Sequence, residues 1–587
     1  MNKRHWVVNV GLWALEPGKP GDALDKSRAP RPVRASVIAG LLGSTVWMLL
    51  PTAALAQSCG MQSGTYVCNY SGTSTAYASQ TGSPDASPMQ VNTSGDVVMS
   101  VQPGQGSGLN FGSYGADGSG GNVYGLQFNN TGSITLNYGS GSNLSPYGLQ
   151  AVLGGGSGNP GGSSSRLFSS QIAGGITVTN SGSMTINMSG GTTTQGGGIL
   201  AREYGGAGQG SGAAGGSTVG SSITNTGQLR LTAAGTTGFA GMQALSLGGY
   251  STGNGGGGNA GAASVTSNGA VALNWTWQNA ASTSSGVYGV QALSQGADGV
   301  STNTSSSSGG GGTGGQGRSA SVTLKEYGDV AVTVSGTAPQ NSPDVPAAVV
   351  AAMSLGGNGG SASQGNGNSG AFGGGAQQVS ISHADAYITA TGDYLPGLVA
   401  YGAGGDGGNG GAPNSASVGG NPAQNGGYGG STEGASVSVS AVNRSMTIYV
   451  GSDGPGESPA IAGIQVGGDG GWGGWSQDAA FSSSQGGDGG AGGNAGPVSI
   501  SVTGQNSNVV TVTTDSPSSP GVYASSVGGA GNYGGQAITT LGGSANGGDG
   551  GTGGSGGDIT VTLTSAQITT NHSNAPGIVA RSLGGVG

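Results

Sequence analysis

Charge is scarce in this chain: charged side chains make up 6% of 587 residues and aromatics 5%. Basic residues are scarcer still once position is considered. Seven of the 14 Lys and Arg (Lys3, Arg4, Lys19, Lys26, Arg28, Arg31 and Arg34) and three of the 23 Asp and Glu (Glu16, Asp22 and Asp25) precede residue 57, leaving a net charge of −13 beyond it. Nucleic acid and anionic membrane, which require basic clusters, are therefore excluded as partners. Cysteine is limited to Cys59 and Cys68, and a structural zinc would need two further ligands. The glycines have no strict Gly-X-Y period, which excludes collagen. Nucleophilic catalysis needs a base, yet beyond the amino-terminal region the only histidines are His383 and His572. No glycine run precedes the Lys-Ser/Thr pair of a phosphate loop.

What is abundant is glycine, 135 residues of it, arranged around a returning motif. Gly577-Ile-Val-Ala-Arg-Ser-Leu-Gly-Gly585 repeats as Gly521-Val-Tyr-Ala-Ser-Ser-Val-Gly-Gly529, Gly397-Leu-Val-Ala-Tyr-Gly-Ala-Gly-Gly405 and Gly241-Met-Gln-Ala-Leu-Ser-Leu-Gly-Gly249. Looser copies fall at 148–155, 198–206, 289–296, 349–357 and 460–468. Spacing of this order marks a stacked repeat. Between copies lie two short runs of alternating apolar and polar residues joined by a turn, such as Ile176-Thr-Val-Thr-Asn-Ser-Gly-Ser-Met-Thr-Ile186. Alternation puts Ile176 and Val178 on one face of a strand and the threonines on the other. The Asn-x-Gly turns, at 180–182 and 225–227, are expected to supply residues that tolerate left-handed backbone.

Each repeat thus offers three short strands with one apolar side. The expected fold is all-β, a right-handed parallel β-helix (solenoid) with Gly-rich loop insertions. Alanines 151, 201, 244, 292, 400, 524 and 580 are expected to let one face pack tightly. After each Gly-Gly comes a tract of Gly-Gly-x triplets, as at 404–411, 467–474 and 547–554. Their varying length places them at one corner of the solenoid. Their period of three suits side-by-side polyproline-II strands, with flexible loops as the alternative.

Residues 35–56 form an apolar run ending in Ala54-Leu-Ala56, preceded by Arg31 and Arg34, which reads as a signal peptide cleaved between Ala56 and Gln57. In an exported chain Cys59 and Cys68 read as a disulfide at the start of the folded region. The expected division is a leader over 1–56, an amino-terminal cap region over 57–122 and Gly-rich β-helical repeats over 123–587. The acidic glycine tracts also invite a calcium reading. Residues 553–558 fit the core of a calcium-binding nonapeptide, but Thr560 stands where an apolar residue belongs. Residues 115–121 are superficially like a serine-protease nucleophile loop. Trp275/Trp277 and Trp472/Trp475 are either sugar-stacking platforms or, as the plainer reading, exposed loop aromatics or rung caps. No catalytic, cofactor-binding or metal residue is assigned.

Thirty-four residues precede the apolar run, and Met1-Asn2-Lys3-Arg4-His5-Trp6-Val7-Val8-Asn9 with Trp13 resembles the extended signal peptide region of Gram-negative type V secreted proteins, with Val8-Asn9 where a Trp-Asn pair is usual. Together with the repeats, the chain resembles an autotransporter adhesin passenger. The resemblance implies export across the outer membrane, no enzymatic activity, a cell-surface or secreted location, and ligands on host or bacterial surfaces. It also implies an outer-membrane β-barrel translocator, either the passenger's own missing carboxy-terminal domain or a separate partner. An exported protease or polysaccharide lyase on the same scaffold is the alternative.

Overall fold

The computed structural model describes residues 56–587, apart from 64, 72–75, 82–87, 102–108, 116–122, 139–146, 159–173, 189–195, 210–212, 236–237, 253–254, 279–285, 302–310, 337–346, 363–367, 413–422, 453–457, 479–482 and 541. Residues 1–55 of the leader, and all but the first residue of the 115–121 segment, lie outside the described residues.

Alternating apolar residues place every regular element in a strand, and no helix occurs among the described residues. The strands stack into three long sheets of twelve, ten and eleven members. In one representative coil the chain runs along Gly220–Asn225 on the first face, Leu229–Gly235 on the second and Phe239–Leu247 on the third. It then crosses a glycine tract and begins the next coil at Ala262–Ser267. Each strand pairs in parallel with its counterpart one coil on, as Gly220–Asn225 does with Ala262–Ser267. The fold is a parallel β-helix, and eleven coils at ~4.8 Å per step make a stack roughly 50 Å long. Stacked strands already begin at Thr65–Ser71, inside the 57–122 segment.

The first strand, Ala56–Gln62, is antiparallel to its neighbour and sets Cys59 directly opposite Cys68. Cys68 is buried and disulfide-bonded, and Cys59 is the chain's one other cysteine. Ala56 and Gln57 open this strand, opposite Ser71 and Tyr70.

Identical positions in successive coils form columns along the interior. Ile176 and Val178 are buried, as their alternation predicts. Ala151, Ala201, Ala244, Ala292, Ala352 and Ala400 stand in register on the third face and are all fully buried. Gly463 takes the next place, then Ala524 and Ala580. The last of these is exposed. At the turn between the first two faces a polar column replaces the apolar one. Thr93 donates to Asn130 at 2.7 Å, Asn130 to Asn180 at 2.6 Å, Asn180 to Asn225 at 2.7 Å and Asn225 to Ser267 at 3.1 Å. Each of the three asparagines also donates to the carbonyl two residues on, Gly132, Gly182 or Gly227. These bonds satisfy buried amides whose isolation would be costly.

The turn glycines do not serve the purpose expected of them. Asn180, Gly182, Asn225 and Gly227 have no left-handed backbone. A Cβ on Gly182 would lie 1.7 Å from the Gly132 carbonyl oxygen, and one on Gly227 1.8 Å from that of Gly182. Glycine is required there because stacked backbones approach closely, not because φ is positive.

Candidate functional site

The glycine tracts are the part of the molecule whose side chains are presented rather than packed, and their geometry follows from their period. A polyproline-II strand turns once every three residues, so a Gly-Gly-x tract keeps both glycines on one side and x on the other. Among the described residues, the later coils send one tract out from the third face (404–411 in one coil) and bring one back toward the first (423–433). Outgoing tracts of successive coils form one layer, and returning tracts form a second layer against it.

Hydrogen bonds define how these layers close. The first glycine of a triplet donates along its own layer: Gly407 to the Asp469 carbonyl at 2.8 Å, Gly426 to that of Asp488 at 2.8 Å. The second donates across to the other layer: Gly408 to Ala371 at 2.8 Å, Gly427 to Gly408 at 2.8 Å, Gly471 to Gly427 at 2.8 Å. The N–H of x donates to the side-chain oxygen of x in the preceding coil. On the outgoing layer Asn358 bonds Asp298, Asp406 bonds Asn358, Asp469 bonds Asp406, and Ala530 bonds Asp469, all at 2.7–2.8 Å. Asp488 and Asp549 continue such a ladder from Asn425 on the returning layer. The tracts are therefore an ordered two-layer sandwich rather than loops. Asp, Asn and Ser recur at x because a short side chain with an oxygen completes the next coil's backbone.

Glycine is needed at the other two positions for space. A Cβ on Gly408 would lie 2.0 Å from the Gly360 carbonyl oxygen, and one on Gly404 1.9 Å from that of Gly430. These are backbone contacts, which no side-chain rearrangement relieves.

The serine of the returning motif closes the neck where a tract rejoins the solenoid. Ser246 accepts the Gly261 N–H at 2.9 Å; Ser294 accepts from the Arg318 N–H and donates to the Gly261 carbonyl, both at 2.7 Å. Ser354 and Ser526 do the same in later coils. In the coil before Ser246, Glu203 takes this place, fully buried, its carboxylate accepting the Val219 and Gly220 N–H groups at 3.0 and 2.6 Å. A carboxylate buried against two N–H groups is a structural clasp.

The sequence candidates separate sharply. Trp275 and Trp277 are buried, not presented: Trp275 stacks on Phe239 at 5.2 Å with rings 18° apart, and Trp277 meets Trp275 edge-on at 5.6 Å. Trp472 and Trp475 sit at consecutive x positions of one outgoing tract, 55% and 40% exposed. Tyr533, one coil on and 74% exposed, lies 5.9 Å from Trp472 in edge geometry. On the opposite layer Phe372 and Tyr428, also exposed, stack at 5.2 Å. Sequence reasoning missed Tyr533 and the Phe372–Tyr428 pair; the signal was an aromatic in a position otherwise held by Asp, Asn or Ser.

His383 extends the polar turn column, but in a part where that column has become aliphatic, between Leu324 and Val439. It is fully buried, and neither ring nitrogen meets a hydrogen-bond partner. Burial pushes its pKa down to about 3; the nearby Asp385 carboxylate and the Ala386 backbone oppose that shift weakly and Arg444 adds to it. His383 is neutral and enclosed, which unfits it as a general base. His572 lies three coils further on and faces the Asp515 carboxylate at 3.2 Å on the surface, so the two histidines share no site. Asp406 titrates above the usual carboxylate range because of local desolvation, with Asp469 and Asp298 in its ladder adding to the shift and the Asp469 N–H opposing it. Among the described residues no group of three or more His, Cys, Asp or Glu is placed to hold a metal ion. Comparison with family models, with curated proteins and with solved structures gives no match.

Proposed function

We propose that this chain is the exported passenger of an autotransporter-type adhesin, which mediates attachment or aggregation from a stacked β-helical stalk. The observation that carries this reading is the sandwich beside the stalk. It holds exposed aromatic, amide and carboxylate side chains on hydrogen-bonded backbone, an arrangement suited to contact with another surface. The sparse charge and the leader's resemblance to type V secreted proteins support the same reading. Its partners are an outer-membrane β-barrel translocator, on the same chain or separate, and ligands on host or bacterial surfaces. The test is protease treatment of intact cells followed by blotting of fractions with an antibody against residues 57–587. Loss of the outer-membrane or medium-associated signal on shaving is the expected result; a protected signal confined to the periplasm contradicts the reading.

A further inference from the structure

The outgoing layer is a grid. Along one tract the x positions recur about every 9 Å, three residues at ~3.1 Å each; from coil to coil they recur at about 4.8 Å. On this grid Asp406 and Asn409 precede Asp469, Trp472 and Trp475, which precede Tyr533 and Gln536. All seven side chains are exposed. Three rings are thus set among amide and carboxylate groups on one face, those of Trp472 and Tyr533 at 80° to each other.

Beyond the edge contact between Trp472 and Tyr533, the rings complete no backbone bond of the layer. Where x is Asp, Asn or Ser, its oxygen receives the next coil's N–H, as Asn409 receives that of Trp472 at 2.9 Å. Trp472 offers no oxygen to Tyr533, so the ladder stops there. A tryptophan in this place forgoes a backbone bond and leaves its ring in water. A local rule broken without structural gain points to function.

We propose that this face binds a neutral glycan, its pyranose rings laid over Trp472, Tyr533 and Trp475 and its hydroxyls donating to Asp469 and Asn409. A sugar ring offers both an apolar C–H face and hydroxyl donors, the two complements that this grid presents. The roughly 9 Å between Trp472 and Trp475 along one tract, with Tyr533 on the next coil, suits an oligomer or polymer rather than a single sugar. The carboxylates of Asp298, Asp406 and Asp469, in one row of the same layer, repel uronates, sialylated chains and nucleic acid. A protein partner would require a contiguous apolar core within about 800 Å² of contact, whereas the surroundings here are polar. The ligand class deepens the attachment reading and rests on it for its biological setting alone, because binding by purified protein is independent of where the chain is displayed.

The test is a printed array of neutral, sialylated and uronate glycans probed with the purified full chain, followed by calorimetry on soluble forms of the hits. Binding to neutral glycans with Kd below about 1 mM is expected. Trp472→Ala is expected to weaken it at least tenfold and Trp472→Ala/Tyr533→Ala to abolish it. Tyr250→Ala, elsewhere on the same layer, leaves binding unchanged, and far-UV circular dichroism verifies folding of every variant. The proposal is overturned if no neutral glycan binds, if acidic glycans are preferred, or if the folded double variant binds as tightly as the parent. Loss of surface display in cells, with glycan binding intact, would count against the adhesin reading alone.

Discussion

Gly471→Ala is expected to open the sandwich while leaving the three-sheet solenoid folded. The added Cβ would stand 1.9 Å from the Gly408 carbonyl oxygen, with the Gly408 carbonyl carbon at 2.5 Å and the Gly407 oxygen at 3.0 Å. All three are backbone atoms of the preceding coil, so the tract itself must move. Movement breaks the bond from Gly471 N–H to Gly427 and that from Gly490 N–H to Gly471, now 2.8 and 2.7 Å. Gly471 is buried, and at about 1–3 kcal/mol for each of its own N–H and C=O left unpaired the loss from that residue alone is about 2–6 kcal/mol. Repeat architectures lose stability locally rather than all at once, so the readout is thermolysin cleavage mapped by mass spectrometry. New cuts within 467–494 and an unchanged β-sheet circular dichroism signal are expected. Gly550→Ala is the control: its nearest neighbour is the Asn532 oxygen at 3.9 Å, and its effect is expected to stay within about 1 kcal/mol. Equal tolerance of both substitutions would mean that the tracts are not packed as described.

His383→Leu is expected to stabilise the protein and to flatten its response to acid. In the folded chain burial holds the ring neutral with a pKa of about 3, against the 6.5 of an ordinary histidine. Below pH 6.5 the unfolded chain takes up a proton that the folded chain refuses. Stability is therefore fully present above pH 6.5 and falls as pH drops toward 3, at up to about 1.4 kcal/mol per pH unit. Leucine between Leu324 and Val439 removes both the titration and two buried nitrogens without partners. At pH 7 the expected gain is about 1–3 kcal/mol. Urea denaturation of parent and variant at pH 7 and 4.5, followed by a probe of coils 379–451, gives the comparison. Groups common to both proteins cancel in the difference. A gap that does not widen at pH 4.5 would place His383 in a solvated or hydrogen-bonded setting.

The strands were readable because a strand's two faces differ in polarity. Ile176-Thr-Val-Thr declares its inner face residue by residue, and the alanine column from Ala151 to Ala400 follows once the copies of the motif are aligned. The period of three in the glycine tracts was equally plain, and the parallel β-helix with its insertions at one corner follows from both. What the tracts pack against was not readable, since glycine has no side chain to indicate a partner. The same gap hid the role of Asp406 and Asp469. The register reveals that the Asp406 and Asp469 carboxylates each accept the next coil's N–H. Asn180 and Gly182 suggested a left-handed turn because that is the usual reason for such a pair. Here the reasons are stacked neighbours, Asn225 for Asn180 and Gly132 for Gly182. Trp275 continues the Val271 and Leu273 alternation and so points inward, whereas Trp472 stands at the x position of a glycine triplet and reaches the surface.

Amide hydrogen exchange across residues 467–474 and 528–535 tests most directly whether the glycine tracts are a bonded sandwich that holds Trp472, Trp475 and Tyr533 in place. The first and second glycine of each triplet donate to backbone carbonyls, as Gly470 does to Ala530 and Gly471 to Gly427, both at 2.8 Å. Protection comparable to that of the strand Val498–Gly504 is the predicted result. Exchange at the rate of an unstructured glycine chain would contradict it, and with it the rigid aromatic face proposed to meet the ligand.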